Sequence, residues 1–473
     1  MINLSVKWIA NTVNAKLYLT KTADFINETY CNSVAIDSRT IEDKALFIAI
    51  SGPNFDGHNF TKQAQEQGAL AAIVEKIVPE VTIPQLIVPC CRSALRDLAK
   101  AYRQLLNGKV IAVTGSSGKT SVKNMLKDIC VQQGLTVATK GNLNNQLGLP
   151  LTLLNTPKNT EYIVLEMGTS YSGEIAILTD ICKPDIAIIT NAGHAHLEAL
   201  HNVKNVAIEK ANIITNSNVN ATIVLNKDDQ YYAYWSSLVT KDAQNHNKKI
   251  INFSLDDTNA NVYLESHNDA TTGTSFTAVT ADNKIEANIC VWGKHQLTNI
   301  CCAIATSLAA DIKYPSIING IKNISLASGR GKRYTLENNS LVIDESYNAN
   351  VESVMAAIEQ LASYKLTAPT IFVFADILEL GNNAIEQHKK IGKFALQQGI
   401  SQLLTIGKLA QKTCDVFGGK HFTTMNDLID FLRQQLNRKV IILIKGSNKM
   451  DLNKVVEALL LKKIKGDTEC YYG

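Results

Sequence analysis

The stretch V-I-A-V-T-G-S-S-G-K-T-S, from Val110 to Ser121, decides how the rest of the chain is read. Val110 to Val113 is the short apolar, β-branched run that a buried parallel strand presents. Gly115 and Gly118 bracket Ser116 and Ser117, and Lys119-Thr120 opens a helical pattern. Val122, Met125, Leu126, Ile129 and Cys130 repeat at the spacing of one buried helix face, and Gly134 supplies the stop. Strand, glycine turn and helix together point backbone N–H groups and a helix N-terminus at one spot, which suits an anion carrying several charges. A nucleoside triphosphate is the expected ligand. Gly115, Ser116, Ser117, Gly118 and Ser121 would cradle its phosphates, Lys119 would reach the β- and γ-phosphates, and the Thr120 hydroxyl would complete a Mg²⁺ shell. Val113 stands where the longer form G-x-x-x-x-G-K-[ST] has glycine, so the match is to T-G-x-x-G-K-[ST].

At 473 residues the chain exceeds one core, and about 150 residues per domain predicts roughly three domains. Hydrophobic residues at 45% and charged residues at 19% are those of a globular protein without a disorder signature. A formal charge of +4 without a run of basic residues gives no footing for nucleic acid. The start, M-I-N-L-S-V-K-W-I-A-N, lacks a basic region followed by a long apolar core, and polar residues interrupt every hydrophobic stretch before it could span a bilayer. A cytoplasmic, monomeric protein that is not embedded in a membrane is expected. Ten cysteines without a C-x-x-C, two pairs of them adjacent (Cys90-Cys91 and Cys301-Cys302), read as buried free thiols.

In the first hundred residues, short strands at Val34 to Ile36 and Leu46 to Ile50 place Asp37-Ser38-Arg39 and Asp56-Gly57-His58 at strand ends. Beyond the glycine turn, apolar runs end in Glu166-Met167-Gly168 and in Asn191-Ala192-Gly193-His194-Ala195-His196. In an open α/β sheet the carboxyl ends of the strands are where ligands bind, so Glu166 and His196 are candidates to approach the metal and phosphates at Thr120. Zinc on His194, His196 and His201 is the alternative. From about Asp256 to Asn288 the chain turns polar, and a small antiparallel appendage is expected there. His295 and Asn299, four apart, share a helix face that serves either packing or a site. After Gly329-Arg330-Gly331 the β/α rhythm restarts in a third domain, with polar strand ends at Asp344 to Asn350, Ala375 to Gly381 and Lys445 to Ser447.

These motifs together resemble the ATP-dependent Mur ligases of peptidoglycan synthesis over essentially the whole chain. The likeness is carried by D-S-R…D-G-H, T-G-S-S-G-K-T-S, G-N-L-N-N-Q-L-G-L-P-L-T-L-L from Gly141, L-E-M-G, N-A-G-H-A-H-L-E and D-E-S-Y-N-A-N. The resemblance implies an α/β fold of three domains. A small N-terminal α/β domain over 1–107 takes a UDP-sugar, a central P-loop-type ATPase domain with a parallel sheet covers 108–326, and a Rossmann-like domain covers 327–473. The N-L-N-N and D-E-S-Y-N-A-N segments point to the branch that joins D-alanyl-D-alanine to UDP-MurNAc-tripeptide, whereas the D-N-P-R of a related branch is absent.

Carried over residue by residue, the resemblance puts Thr120 and Glu166 on the Mg²⁺ that bridges ATP phosphates and His196 on a second Mg²⁺. Lys210 matches a lysine that such ligases carbamylate with CO₂, which would make it an anionic metal ligand. Lys119, His196 and Lys210 are thus the implied catalytic set. Asn299, Arg330 and Asp344 would meet adenine, phosphate and ribose; Ser38 and Arg39 the UDP-sugar; Asn142, Asn144 and Asn145 the peptide. Tyr347, Asn348, Asn350, Asp376 and Lys445 would line the closing face for dipeptide and ATP. Glu345, Val351, Gln296 and Asn448 depart from the family pattern, which has Asp, Pro, Asn and Arg there. The last exchange removes a planar cationic fork that Asn does not reproduce. Folylpolyglutamate synthases share the fold and the acyl-phosphate chemistry, but the D-S-R…D-G-H domain is not expected in them.

Overall fold

A computed structural model describes residues 2–19, 29–242, 247–270, 273–324 and 326–461. Three main sheets follow one another along the chain. The first has five strands, in the order Lys16–Tyr18, Gln85–Ile87, Ala69–Val74, Ala45–Ile48 and Ser33–Ala35, parallel except for the first pair. Its helix Cys91–Arg103 buries Leu95, Leu98, Ala99 and Tyr102. One continuous apolar core joins this helix to the central sheet, where it meets Val110, Ala112 and Leu165. Tyr102 ties the seam by donating its hydroxyl to the Thr156 carbonyl at 2.8 Å.

The central sheet has nine strands, and the strand Lys109–Thr114 lies between Ile186–Ile189 and Tyr162–Glu166, parallel to both. Val110, Ile111, Ala112 and Val113 are fully buried, as an apolar strand covered on both faces must be. On the face opposite the first domain pack the helices Lys119–Cys130, Lys294–Ala309 and Tyr314–Lys322. Register puts Glu166 opposite Val113 and Ile189 opposite Thr114, so three strand ends come level beside the glycine turn.

The antiparallel strands expected after Asp256 are present, and they are joined to the central sheet. Val262–Ala270 pairs in parallel with Lys249–Ser254, and Gly273–Thr280 and Lys284–Ile289 add antiparallel strands, so the segment extends the central sheet at its edge. Alternating burial along Lys284–Ile289 accounts for the alternating sequence, because a sheet edge has one covered face.

The third sheet runs Lys332–Thr335, Leu341–Glu345, Ile441–Lys445, Thr370–Ala375, Gln402–Ile406 and Lys420–Phe422, antiparallel only at its first pair. Apolar cores cover both faces. Eight cysteines (Cys31, Cys90, Cys91, Cys130, Cys182, Cys301, Cys302 and Cys414) carry free thiols, all buried except the half-buried Cys90. Among the described residues no helix is long and apolar enough to cross a membrane.

Candidate active site

The glycine turn owes its shape to close approaches. A Cβ on Gly115 would lie 1.8 Å from Thr190 Oγ1, and one on Gly118, whose φ is +80°, would lie 2.4 Å from Asn299 Oδ1. Thr190 Oγ1 donates to Ser117 O at 2.6 Å, while Ser116 and Ser117 donate their backbone N–H to Asn191 O and Asn191 Oδ1 at 3.1 and 2.9 Å. Those two amides therefore hold the turn in place and do not face a ligand. The anion-binding donors are at the helix start: the N–H groups of Lys119, Thr120 and Ser121 precede the first intrahelical bond, which Val122 donates to Gly118 O at 2.9 Å.

These groups form one wall of a cleft of about 710 Å³ between the central and third sheets. Lys119 Nζ donates to Gly115 O at 2.6 Å. Burial lowers the pKa of Lys119, opposed by Glu166 and reinforced by Arg330. Arg330 crosses from the third domain, donates to Thr120 Oγ1 at 2.9 Å and lies 4.1 Å over the Tyr347 ring. Glu166 accepts from Asn144 Nδ2 at 2.9 Å through Oε1, while its buried Oε2 has no partner. A buried carboxylate oxygen left unsatisfied is costly unless a ligand completes it.

The two histidines after the strand Ile186–Ile189 reach across the cleft. His194 pairs through Nδ1 with Glu352, and His196 pairs through Nδ1 with Glu379 Oε2 at 2.6 Å. The carboxylate on Nδ1 fixes the His196 ring with Nε2 free of partners among the described residues, the arrangement in which a metal-binding imidazole is held. His196 itself sits at φ +55°, a left-handed conformation that a non-glycine residue adopts at a cost. Among the described residues no three His, Cys, Asp or Glu side chains converge on a metal position, and His201 borders no part of the cleft.

Lys210, on the helix Val203–Thr215, is 1% exposed and has no ion pair among the described residues. Burial, and then the charge of Lys119, push its pKa far below that of a free lysine, against a smaller pull from Glu209.

Asn142, Asn144, Asn145, Asn299, Tyr347, Asn348, Asn350 and Lys445 all border the cleft. Asn145 also caps the helix Gly148–Leu154 by accepting from Gly148 N at 2.9 Å. Lys445 is buried, donating to Glu345 Oε2 at 3.0 Å and Asn348 O at 3.1 Å. Burial would raise the Glu345 pKa, but Lys445 and His295 outweigh it and hold it below the ordinary value.

Two expected ligand contacts are not placed at the cleft surface. Asp376 is turned into the third domain, where Oδ1 accepts from Leu409 N at 3.0 Å and Ala410 N at 2.7 Å and caps the helix Ala410–Phe417. Asp344 is 1% exposed; it accepts from Gly329 N at 2.8 Å and from Ser346 Oγ at 2.6 Å, and so positions the turn that carries Arg330. Glu352, Glu379 and Asn191 were not singled out from the sequence. Their roles depend on partners more than 70 residues away, a relation that spacing does not carry.

Ser38 and Arg39 lie in the first domain, away from this cleft. Ser38 Oγ donates to Gln63 Oε1 at 2.9 Å, and Arg39 grips Asp37 through Nε at 2.9 Å and Nη2 at 2.7 Å. Nearby, Asp56 Oδ1 meets His58 Nδ1 at 2.6 Å, and His58 Nε2 accepts from Glu75 N at 2.8 Å. The His58 hydrogen bonds, then Lys76 and Ser51, depress the Asp56 pKa. Stabilisation from a carboxyl depressed in the folded state is complete above its unfolded pKa of about 4 and is lost as the pH falls below that value. We therefore expect Asp56→Asn to lower Tm at pH 7 and the gap to the unmutated protein to narrow progressively as the pH falls below about 4 toward the depressed folded value. A constant gap from pH 7 to pH 3 in thermal melts would exclude a charge-based role.

Family models match along the chain: the Mur ligase family catalytic domain at residues 31–103, the Mur ligase middle domain at 113–307 and the Mur ligase glutamate ligase domain at 329–448. With the three Mur ligase domains matched in order, the chain is an ATP-dependent ligase and belongs to the Mur ligase family. Within it, the chain is 35% identical to UDP-N-acetylmuramoyl-tripeptide--D-alanyl-D-alanine ligase of Buchnera aphidicola subsp. Baizongia pistaciae, over 97% of this chain and 99% of that one. It is 33% identical to the enzyme of the same name from Escherichia coli, with the same shares covered. The crystal structure of MurF from Acinetobacter baumannii superposes with a TM-score of 0.88 at 27% identity, covering 97% of this chain and 99% of that one.

Proposed function

We infer that this protein is an ATP-dependent ligase that joins D-alanyl-D-alanine to UDP-MurNAc-tripeptide, giving the pentapeptide precursor of peptidoglycan, ADP and phosphate. The observation that carries this reading is the wall formed by the Lys119 helix start, Arg330 and the unsatisfied Glu166 carboxylate, in a chain similar end to end to ligases of that name. The division into 1–107 for the UDP-sugar, 108–326 for ATP and 327–473 for the acceptor is part of the proposal. So are a cytoplasmic location and a monomeric state.

In the first step a terminal carboxylate oxygen of the tripeptide attacks the γ-phosphorus, a C–O–P linkage forms and the bond to ADP breaks. In the second the dipeptide amine attacks the acyl carbon, the C–N bond forms, the C–O bond to phosphate breaks and the amine sheds a proton. No enzyme nucleophile is required, so the protein contributes position and charge. Bringing a carboxylate to a triphosphate sets anion against anion. Lys119 and the helix-start amides answer the β- and γ-phosphates, and Arg330, already at Thr120, adds a planar donor for the transferred group. Asn299, beside Gly118, suits the nucleotide, and Asn142 and Asn144 suit the peptide amides.

The donor set fits Mg²⁺, since one or two protein oxygens complete an ion otherwise held by phosphates and water. Thr120 and Glu166 would hold one ion and His196, with a carbamate on Lys210, a second; the ions supply neutralisation of the phosphate charge. Burial pushes the Lys210 pKa down, toward the neutral amine that reacts with CO₂.

Phosphate release tests the reading. Turnover is expected only with ATP, UDP-MurNAc-tripeptide and D-alanyl-D-alanine together. Equal release with either acceptor component omitted, or with D-alanine in place of the dipeptide, would sink it. Folylpolyglutamate addition is the poorer reading because the chain matches the Mur ligase catalytic domain over 31–103.

A further inference from the structure

The acceptor of the reaction inferred above, on which this inference rests, is a zwitterion. Its amine has to reach the acyl carbon, and its carboxylate therefore enters a cleft already bordered by Glu166, Glu345, Glu352 and Glu379. An uncompensated carboxylate there would be repelled, so a cation on the acceptor's side has to meet it.

Four lysine and arginine side chains border the cleft among the described residues: Lys119, Arg330, Lys445 and Lys449. Three are committed. Lys119 is bonded to Gly115 O on the phosphate turn, Arg330 to Thr120 Oγ1, and Lys445 is buried against Glu345 and Asn348 O. Lys449 differs. It projects from the single turn Asn448–Met450 that follows the strand Ile441–Lys445, it is exposed, and it has no hydrogen bond or ion pair among the described residues. Its charge is nonetheless felt by Glu379, which holds His196.

The base of this lysine is fixed even though its ammonium is free. Ser447 donates its N–H to Asp376 O at 3.1 Å and accepts from Leu378 N through Oγ at 2.9 Å, Met450 N closes on Ser447 O at 2.9 Å, and Asn448 Nδ2 donates to Tyr347 O at 3.1 Å. An unpaired, exposed cation on an anchored turn, bordering the same cleft as the phosphate turn, is placed to receive an anionic end of a ligand whose other end points at the phosphates. We propose that Lys449 binds the carboxylate of the acceptor dipeptide and sets the requirement for a free C-terminal acid.

The test compares Lys449→Ala, Lys449→Arg and the unmutated enzyme in phosphate release, with D-alanyl-D-alanine and with D-alanyl-D-alaninamide, which lacks the acid. A charge-assisted hydrogen bond of this kind corresponds to about tenfold or more in KM. Lys449→Ala is expected to raise the dipeptide KM by that factor with kcat and the KM for ATP little changed, and Lys449→Arg to recover most of it. The unmutated enzyme should prefer acid to amide, and Lys449→Ala should treat the two alike. An unchanged dipeptide KM, or an acid-over-amide preference that persists in Lys449→Ala, would overturn the assignment. Absence of any dipeptide-dependent phosphate release in the unmutated enzyme would instead overturn the activity inferred above, and this assignment with it.

Discussion

Lys119→Ala is expected to lower kcat for phosphate release by about 10³-fold, because it removes the one flexible cation rooted in the phosphate turn. In the structure the ammonium folds back onto Gly115 O at 2.6 Å and lies 3.5 Å from Ser116 O, so it is already held beside the helix start without a carboxylate partner. A phosphate oxygen is a stronger acceptor than either carbonyl, and bound nucleotide would draw the ammonium away from them. The charge matters most as the carboxylate closes on the γ-phosphorus, when negative charge is concentrated. Loss should therefore fall on kcat more than on nucleotide affinity, which the N–H groups of Lys119, Thr120 and Ser121 still support. Lys119→Arg is not expected to rescue activity. A planar guanidinium is larger and its donors are fixed in a fork, while the turn leaves no slack: even a Cβ on Gly118 would lie 2.4 Å from Asn299 Oδ1. Steady-state kinetics with tight ADP binding measured in parallel would decide the matter. A variant retaining a tenth or more of the kcat would remove Lys119 from the reaction.

The phosphate turn was legible because its information is local. Val110 to Val113 is apolar on both faces, the glycines mark where side chains cannot fit, and the helix face follows at regular spacing. Glu166 and His196 were also legible, since parallel strands in one sheet deliver their carboxyl ends to one edge whatever the intervening sequence. What the sequence did not reveal depends on distant partners. Asp344 and Asp376 stand at strand ends as ligand residues do, but their oxygens are spent on Gly329 N and on Leu409 N and Ala410 N. From sequence, an acid that caps a helix or props a turn looks like an acid that meets a substrate. The bridges from Glu352 to His194 and from Glu379 to His196 were invisible for a related reason: each half lies in a different domain, and only their docking makes a pair. The antiparallel strands after Asp256 were legible from their alternation, but not their attachment to the central sheet, because pairing with Lys249–Ser254 is a fact of topology.

Lys210→Ala is expected to lower kcat by at least about 10²-fold and to recover in part when formate, acetate or propionate is added. The reasoning begins with placement. A lysine 1% exposed, without an ion pair among the described residues and close enough to Lys119 for that charge to lower its pKa, is poorly suited to remain an ammonium. Two cations left side by side in a buried site repel, and removing one of them should then help or be neutral. Reaction of the neutral amine with CO₂ reverses the sign: the N–C bond forms, a proton leaves, and an anion stands where a cation would have been. That anion would complement the charge of Lys119, so its loss would leave excess positive charge and a void that a small carboxylic acid can fill. The two accounts predict opposite results. An unmodified structural lysine predicts activity insensitive to added acids, and a stability loss that no carboxylate repairs. A carbamate predicts rescue that falls with the size of the acid, and a carbamate carbon signal from labelled bicarbonate that is absent in Lys210→Ala. Lys210→Glu adds a second arm, since it puts a carboxylate on a shorter stem and should keep more activity than alanine. Full activity in Lys210→Ala without any additive would end the carbamate proposal outright.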